Sequence, residues 1–175
     1  GMERPPLIME PLQGESILCV AYSHDGTQLA VGSYGSGTIR IWDTSTATRT
    51  HTLKTATGEM FQGAPVGVIS VQFRPDGKCV YGGLSNGKIV EWDIENEKIQ
   101  ATWKDHTGVV TGIGALKNNR PFITTSTDQT IALRSPVSGD LQRYPASDST
   151  LHSMAVSADE RWLATLDLGG DVRVW

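Results

Sequence analysis

The chain has few of the residues that hold disulfide-bonded or metal-bound proteins together. Its 175 residues include two cysteines, Cys19 and Cys79, and no Cys-x-x-Cys pair. Isolated thiols at apolar strand positions are typical of small buried residues in a reducing compartment rather than of a disulfide framework. We therefore expect no structural zinc site and a cytoplasmic or nuclear location.

Basic residues are also sparse and scattered. The 15 lysines and arginines are outnumbered by 19 acidic residues, which gives a formal net charge of −4, and no two basic residues are adjacent. Nucleic-acid-binding proteins usually carry a clustered basic face. The sequence also lacks an apolar run of the roughly 20 residues that a membrane-spanning helix needs. The scattered basic residues and the lack of a long apolar run therefore predict that the chain binds neither nucleic acid nor a membrane.

Motifs of catalysis and cofactor binding are missing as well. The four histidines show no ligand spacing, and there is neither a phosphate-binding loop nor a nucleophile elbow. The glycine-rich stretch at residues 32–37 precedes a strand pattern rather than a helix, so it does not fit a dinucleotide-binding fingerprint. We expect a protein that is not an enzyme and that needs no cofactor or metal.

What the sequence does contain is one segment repeated four times. Two copies end in Trp-Asp, at Trp42-Asp43 and Trp92-Asp93, and the matching positions of the other copies are Arg134 and Trp175. The spacings between these markers are 50, 42 and 41 residues. The spacings between the turns that precede the endings are nearly the same, at 51, 42 and 41 residues. Two markers that drift together indicate a true repeat.

Each copy contains short β-branched runs joined by turn residues. Residues 17–22 and 28–33 flank Asp25-Gly26, and residues 68–73 and 79–85 flank Asp76-Gly77. Asp-Gly between two such runs is typical of a hairpin. Since no window has a sustained helical period, we expect an all-β chain with four antiparallel strands per copy.

Four strands in about 40 to 45 residues with a Trp-Asp ending resemble the WD40 repeat of β-propellers. The resemblance implies propeller blades and a buried hydrogen-bonded group in the third repeat made by His106, Ser126 and Asp128. That repeat departs from the family pattern, because Arg134 stands in place of the tryptophan. We expect a structural rather than a catalytic role for all of the repeat's marker residues: Trp42, Asp43, Trp92, Asp93, His106, Ser126, Asp128 and Trp175.

The resemblance suggests one propeller segment over residues 1–175, with blades at about 14–53, 66–103, 106–145 and 148–175. The last copy lacks a fourth strand, and residues 7–12 are expected to supply a closing strand of the kind that completes WD40 rings. Three arrangements stay open. The chain closes alone as a four-bladed ring, two chains join head to tail into an eight-bladed ring, or the chain is a piece of a larger propeller with no independent function.

The expected function is a non-catalytic scaffold for protein partners. The connection at residues 55–65 is longer than its counterparts and carries Met60 and Phe61, two apolar residues in a polar loop. They are candidates for partner binding, with Tyr34 and Arg134 as further candidates, because loops on a rigid scaffold often carry function. Two alternatives remain: Phe61 packs against its own blade, or a small-ligand or enzymatic site lies in the central channel.

Overall fold

The computed structural model describes residues 14–55, 59–118 and 120–175, and the regular structure in these ranges is entirely β-strand. The first sheet contains β1 (Ile17–Tyr22), β2 (Gln28–Ser33), β3 (Thr38–Asp43) and β4 (Arg49–Lys54). A two-stranded hairpin follows, made by β5 (Met60–Phe61) and β6 (Ala64–Pro65).

Three further sheets follow the hairpin. The second sheet contains β7 (Val68–Phe73), β8 (Cys79–Leu84), β9 (Lys88–Asp93) and β10 (Lys98–Lys104). The third contains β11 (Val110–Gly114), β12 (Phe122–Ser126), β13 (Thr130–Arg134) and β14 (Leu141–Pro145). The fourth contains β15 (Leu151–Val156), β16 (Leu163–Asp167) and β17 (Val172–Val174). Every sheet is antiparallel with its strands in chain order, so the all-β prediction is confirmed.

The predicted Asp-Gly turns join the first two strands of the first and second sheets. The Asp25 carboxylate accepts a hydrogen bond from the backbone N–H of Thr27 at 3.0 Å, and Asp76 accepts one from Lys78 at 3.0 Å. The glycines Gly26 and Gly77 have φ angles of 73° and 71°, a region that side chains disfavour. The turn sequence therefore fixes these two hairpins locally, which explains why these strands lie where the sequence predicts them.

The sheets pack face to face in chain order. Strand β7 packs on β1 and β2, β11 packs on β7 and β8, and β15 packs on β11 and β12. Glycines permit this approach, because a Cβ added at Gly32 would lie 3.2 Å from Val68 Cβ, and one at Gly83 would lie 2.8 Å from Val110 Cβ. The first strands of the four sheets thus line one side of a common axis, as the blades of a propeller do.

The main apolar core fills the space between the first and second sheets. It contains Ile39, Leu53, Val68 and Trp92, all fully buried. The Trp92 indole N–H donates to the Lys54 carbonyl of the preceding sheet at 3.2 Å. Repeated apolar positions therefore bury one sheet against the next, since a single four-stranded sheet cannot cover both of its own faces.

The equivalent positions are more exposed in the first and fourth sheets, at the two ends of the array. Ile39, Ile89 and Ile131 are buried in the first three sheets, but the matching Val172 of the fourth sheet is 68% exposed. Similarly, Val68 is fully buried, whereas the matching Ile17 of the first sheet is 43% exposed. Among the described strands, no pair that makes an extended contact joins the first sheet to the fourth.

One local element differs from the sequence interpretation. The connection at residues 55–65, expected as a loop, contains the β5–β6 hairpin, whose two central residues Gln62 and Gly63 have φ angles of 51° and 80°. Two successive positive φ angles are typical of the tight turns that join antiparallel strands. The proposed closing strand at residues 7–12 lies outside the described residues.

Candidate functional site

The loops that join one sheet to the next lie at one end of the array, together with the turns between the second and third strands of each sheet. We call this end the connection face; it comprises residues 34–37, 59–67, 85–87, 105–109, 127–129, 146–150 and 168–171. Antiparallel order within each sheet requires this placement, because the first strand begins at the end where the fourth strand finishes. The face contains Tyr34, Met60, Phe61 and His106, all of which the sequence singles out.

The β5–β6 hairpin is the most prominent element of the connection face. Phe61 is half-buried against the core between the first two sheets, and the Lys104 ammonium lies 5.9 Å from the centre of its ring. Met60 points the other way and is 58% exposed. The hairpin therefore packs Phe61 against the core and leaves Met60 exposed.

Polar contacts fix the base of the hairpin. The Glu59 carboxylate accepts hydrogen bonds from the Lys88 ammonium at 2.5 Å and from the Asn86 side-chain amide at 2.9 Å. The Val66 N–H donates to the Glu59 carbonyl at 2.9 Å. These contacts hold the hairpin on the second sheet, so Met60 is displayed by a rigid element rather than by a loose loop.

Tyr34 lies beside the start of the second sheet. A Cβ added at Gly67 would lie 2.4 Å from Tyr34 Cδ2, so the tyrosine ring occupies the space that a side chain there would need. Its backbone N–H donates to the Ser16 carbonyl at 2.8 Å. Tyr34 is half-buried and shares the connection face with Met60, with part of its surface open to a partner.

A buried histidine network stands at the edge of the third sheet. His106 contacts the Asp128 carboxylate through Nδ1 at 3.1 Å and the Thr124 hydroxyl through Nε2 at 2.8 Å. Ser126 belongs to the same turn but contacts Asp128, accepting from its backbone N–H at 3.1 Å. The hydroxyl that meets the imidazole is thus Thr124, which the period of two along β12 places on the same face as Ser126.

Burial and hydrogen bonding shift the pKa values of both ionisable groups in this network. Burial lowers the pKa of His106 below its usual value of 6.5, although Asp128 opposes the shift. Burial acts to raise the pKa of Asp128, but hydrogen bonds from Thr130 and Thr107 and the contact with His106 outweigh it and bring the pKa to about 2. Both ring nitrogens of His106 and both carboxylate oxygens of Asp128 have hydrogen-bond partners, as buried polar groups usually do.

Arg134 forms an ion pair in place of the tryptophan contact. Its guanidinium donates from Nε to the Asp105 carboxylate at 3.0 Å and makes a second, shorter contact with the other oxygen. Asp105 is fully buried at the end of the second sheet, and a remaining guanidinium N–H binds the Gly139 carbonyl. The ion pair leaves 14% of the Arg134 side chain exposed, so little of it faces a partner.

The sequence did not identify Asp105 as the partner of Arg134. The available signal is that both residues depart from the family pattern in the same repeat, with Asp105 at the family's glycine and Arg134 at its tryptophan. A bidentate carboxylate–guanidinium pair is the geometry that arginine favours. The Arg134–Asp105 ion pair thus joins the third sheet to the second. At the equivalent position, the Trp92 indole joins the second sheet to the first.

The tryptophan and the aspartate of each Trp-Asp ending make different contacts. Asp43 closes the turn after β3 by accepting from the backbone N–H groups of Ser45 and Thr46, each at 2.9 Å, and the Ser45 hydroxyl is the main cause that brings its pKa to about 2. Asp93 closes the equivalent turn with Asn96. The remaining marker residues divide by burial: Trp42 and Trp92 are buried, whereas Trp175 is partly exposed and donates to Thr165.

The first sheet contains an ion pair that no sequence motif indicated. Arg40 binds both carboxylate oxygens of Glu15, and the Ser36 hydroxyl donates to the same carboxylate at 2.8 Å. The Arg40 guanidinium is the main cause that lowers the pKa of Glu15 to about 2. This pair lies at the connection face of the first sheet, as His106 and Asp128 lie at that of the third.

The opposite end of the array contains the remaining turns, with clefts between them. One, of about 480 Å³, lies between the second and third sheets and is lined by Arg74, Tyr81 and Lys117. Arg74 in this cleft is paired, because it binds Asp76 and Glu91 at 2.7 and 2.8 Å. In the part of the chain that the structure describes, no three His, Cys, Asp or Glu side chains are placed to hold a metal ion.

Comparison with known proteins agrees with this architecture. The family described as "WD domain, G-beta repeat" matches residues 8–43. Human pre-mRNA-processing factor 17 is 26% identical over 163 residues, which cover 89% of this chain and 26% of that protein. The WD repeat-containing protein 26 homolog of Arabidopsis thaliana is 21% identical over 91% of this chain and 25% of its own length. The chain thus spans about a quarter of the length of these relatives.

Among solved structures, the crystal structure of RRP9 WD40 repeats superposes with a TM-score of 0.78 at 18% identity. The alignment covers 93% of this chain and 48% of that one. No helix in the described ranges is long and apolar enough to cross a membrane. The repeat, the antiparallel sheets and these matches together show that the chain is built of WD40-type β-propeller blades.

Proposed function

We propose that this chain is a rigid, non-catalytic platform that binds other proteins through its connection face. The observation that carries the proposal is the β5–β6 hairpin, in which Phe61 is anchored in the core and Met60 is 58% exposed beside it. An exposed, flexible thioether on a fixed element is suited to packing against an apolar side chain of a partner. Tyr34 borders the same surface and is the second contact that we propose.

The expected partner is a protein or peptide rather than a nucleic acid. The chain has a formal net charge of −4, which disfavours a polyanionic ligand. Cys19 and Cys79 are free thiols, which favours a reducing compartment, the cytoplasm or the nucleus. The similar protein pre-mRNA-processing factor 17 is named for pre-mRNA processing, and a nuclear location would fit this likeness.

A matched pair of substitutions tests the platform. Met60→Ser removes the exposed side chain from the connection face, whereas Val137→Ser removes a side chain that is 76% exposed in a turn at the opposite end. We expect Met60→Ser to reduce recovery of specific partners from a cell extract and Val137→Ser to leave it unchanged, with equal melting temperatures. Equal recovery by both variants would contradict a role of the hairpin.

We further propose that two copies join head to tail into a ring of eight sheets. The supporting observation is that the first and fourth sheets both expose apolar positions that the inner sheets bury. A head-to-tail contact would bury each of these two apolar faces against the other. A head-to-tail contact that closes forms a ring of defined size. Light scattering should give twice the 18.9 kDa mass of one chain; a stable monomer would exclude the ring.

A further inference from the structure

We infer that the partner of the connection face carries an acidic side chain next to an apolar one: the carboxylate binds the Lys104 ammonium while the apolar side chain packs on Met60. This inference rests on the platform proposed above and names the chemistry of its partner. We call the surface formed by Met60, Lys88 and Lys104 the hairpin patch.

The two residues that flank Met60 in the chain each contact a lysine of the second sheet. Glu59 accepts from the Lys88 ammonium at 2.5 Å, and the ring centre of Phe61 lies 5.9 Å from the Lys104 ammonium. Met60 stands between Glu59 and Phe61, and it is 58% exposed. A partner side chain that packs on Met60 is therefore brought beside two ammonium groups.

The second sheet places these two lysines directly opposite each other. Lys88 begins β9, Lys104 ends β10, and the two residues form a cross-strand pair. Like charges in directly opposite positions repel. Glu59 neutralises Lys88, whereas among the described residues Lys104 contacts the uncharged Asn86 carbonyl and the Phe61 ring but no carboxylate. Two ammonium groups thus share one carboxylate, and a second one from a partner would balance the pair.

The other carboxylates of this region are already engaged. Between the first sheet and the β12–β13 turn, the described residues of the connection face include three further acidic side chains, and each has an arginine partner: Glu15 with Arg40, Asp105 with Arg134, and Asp128 with Arg143. A carboxylate for Lys104 therefore has to come from another molecule.

Local charge decides this contact despite the overall charge of the chain. The formal net charge is −4, which repels an acidic partner at long range. Salt screens that repulsion, because the Debye length at physiological ionic strength is about 8 Å. Within that distance of Met60, the ammonium groups that touch its two neighbours are the closest charges without full compensation.

The hairpin patch fits an acidic peptide better than a nucleic acid. A nucleic acid spreads its charge along a backbone and gains affinity by contacting several cations in a row. The patch has two lysines, one of them already paired with Glu59, and an exposed apolar side chain between them. An apolar residue followed or preceded by Asp or Glu satisfies both parts of this surface.

Selection from a library of random short peptides displayed on phage tests the chemistry, with the immobilised chain as bait. We expect enrichment of Asp or Glu next to Leu, Ile, Met or Phe, and loss of this enrichment with Lys104→Glu as bait. Lys98→Glu is the matched control, because Lys98 is an exposed lysine at the other end of the same strand. A selection that enriches no acidic peptide would overturn the inference.

A binding cycle on one enriched peptide then isolates the charge pair. Lys104→Gln removes the charge but keeps a donor for the Asn86 carbonyl, and the second peptide has Ser in place of its acidic residue. We expect Lys104→Gln to raise the Kd of the acidic peptide about threefold, as for an exposed ion pair, and to leave that of the Ser peptide unchanged. High salt should weaken the acidic peptide on the wild type and have less effect on Lys104→Gln.

The outcomes separate this inference from the platform proposal. Equal losses for the two peptides would mean that Lys104 merely supports the Phe61 anchor, which would overturn the inference and leave the platform intact. Binding that Met60→Ser does not weaken would refute the role of Met60 and the inference with it. Binding of a single-stranded RNA oligonucleotide that Lys104→Gln abolishes would show a polyanion site instead and would also overturn the inference.

Discussion

The ion pair between Arg134 and Asp105 offers the most quantitative test of how the blades are joined. Asp105 lies directly after the last strand of the second sheet, and Arg134 ends the third strand of the third sheet. The Asp105 side chain is fully buried and Arg134 is 14% exposed. A charge in such a position depends on its partner, because neither group can return to water while the sheets stay packed.

Removal of the arginine alone should therefore be costly. Arg134→Met keeps most of the side-chain volume but leaves the Asp105 carboxylate buried without its counter-ion. Breaking a buried pair in this way costs about 3–5 kcal/mol of unfolding free energy. Asp105→Asn with Arg134→Met removes both charges, so that no uncompensated charge stays buried. The double variant should thus recover most of the stability that Arg134→Met loses.

The assay is urea unfolding followed by tryptophan fluorescence for the wild type, both single variants and the double variant. The coupling free energy from this cycle should exceed about 1.5 kcal/mol, since contacting residues are non-additive. Arg74→Met is a matched control for the loss of an arginine, because its contacts with Asp76 and Glu91 lie within one sheet. Additive effects below about 1 kcal/mol would refute a role of the Arg134–Asp105 pair in joining the sheets.

Three further predictions follow from the same contacts. Burial lowers the pKa of His106, so the unfolded chain binds a proton that the folded chain does not. Stability should fall as the pH drops below about 6.5, and His106→Gln should flatten this dependence in urea titrations from pH 7 to 5. Gly83→Val should destabilise the protein by about 1–3 kcal/mol through overpacking against Val110, measured by thermal circular dichroism. Burial raises the pKa of the Cys19 and Cys79 thiols to about 11, so both should react slowly with a thiol reagent at pH 8 and readily after unfolding.

Sequence reasoning reached the fold class because its signals are local. Asp25-Gly26 and Asp76-Gly77 define hairpins through their own backbone conformation, and the recurring apolar positions require a neighbouring sheet. It could not find the β5–β6 hairpin as such, because Gln62-Gly63 joins strands of only two residues each. A pattern that short has no measurable period.

Side-chain partners were the part that the sequence left open. The family resemblance named Ser126 as the hydroxyl of the histidine network, but the distances assign the imidazole contact to Thr124. Both residues lie on the same face of β12, so the strand pattern alone does not distinguish them. Likewise, Arg134 could have faced solvent or a partner until packing of the third sheet on the second set it against Asp105.

The sequence by itself determined the repeat, the antiparallel strands and the class of propeller blade, because turn chemistry and apolar periodicity act over a few residues. The tertiary structure decided that Phe61 is an anchor while Met60 is exposed, that Arg134 neutralises a buried carboxylate, and that the buried indole of Trp42 finds no acceptor in the described chain. Each of these depends on which surfaces meet across sheet boundaries. Such contacts join residues far apart in the chain, and no local pattern specifies them.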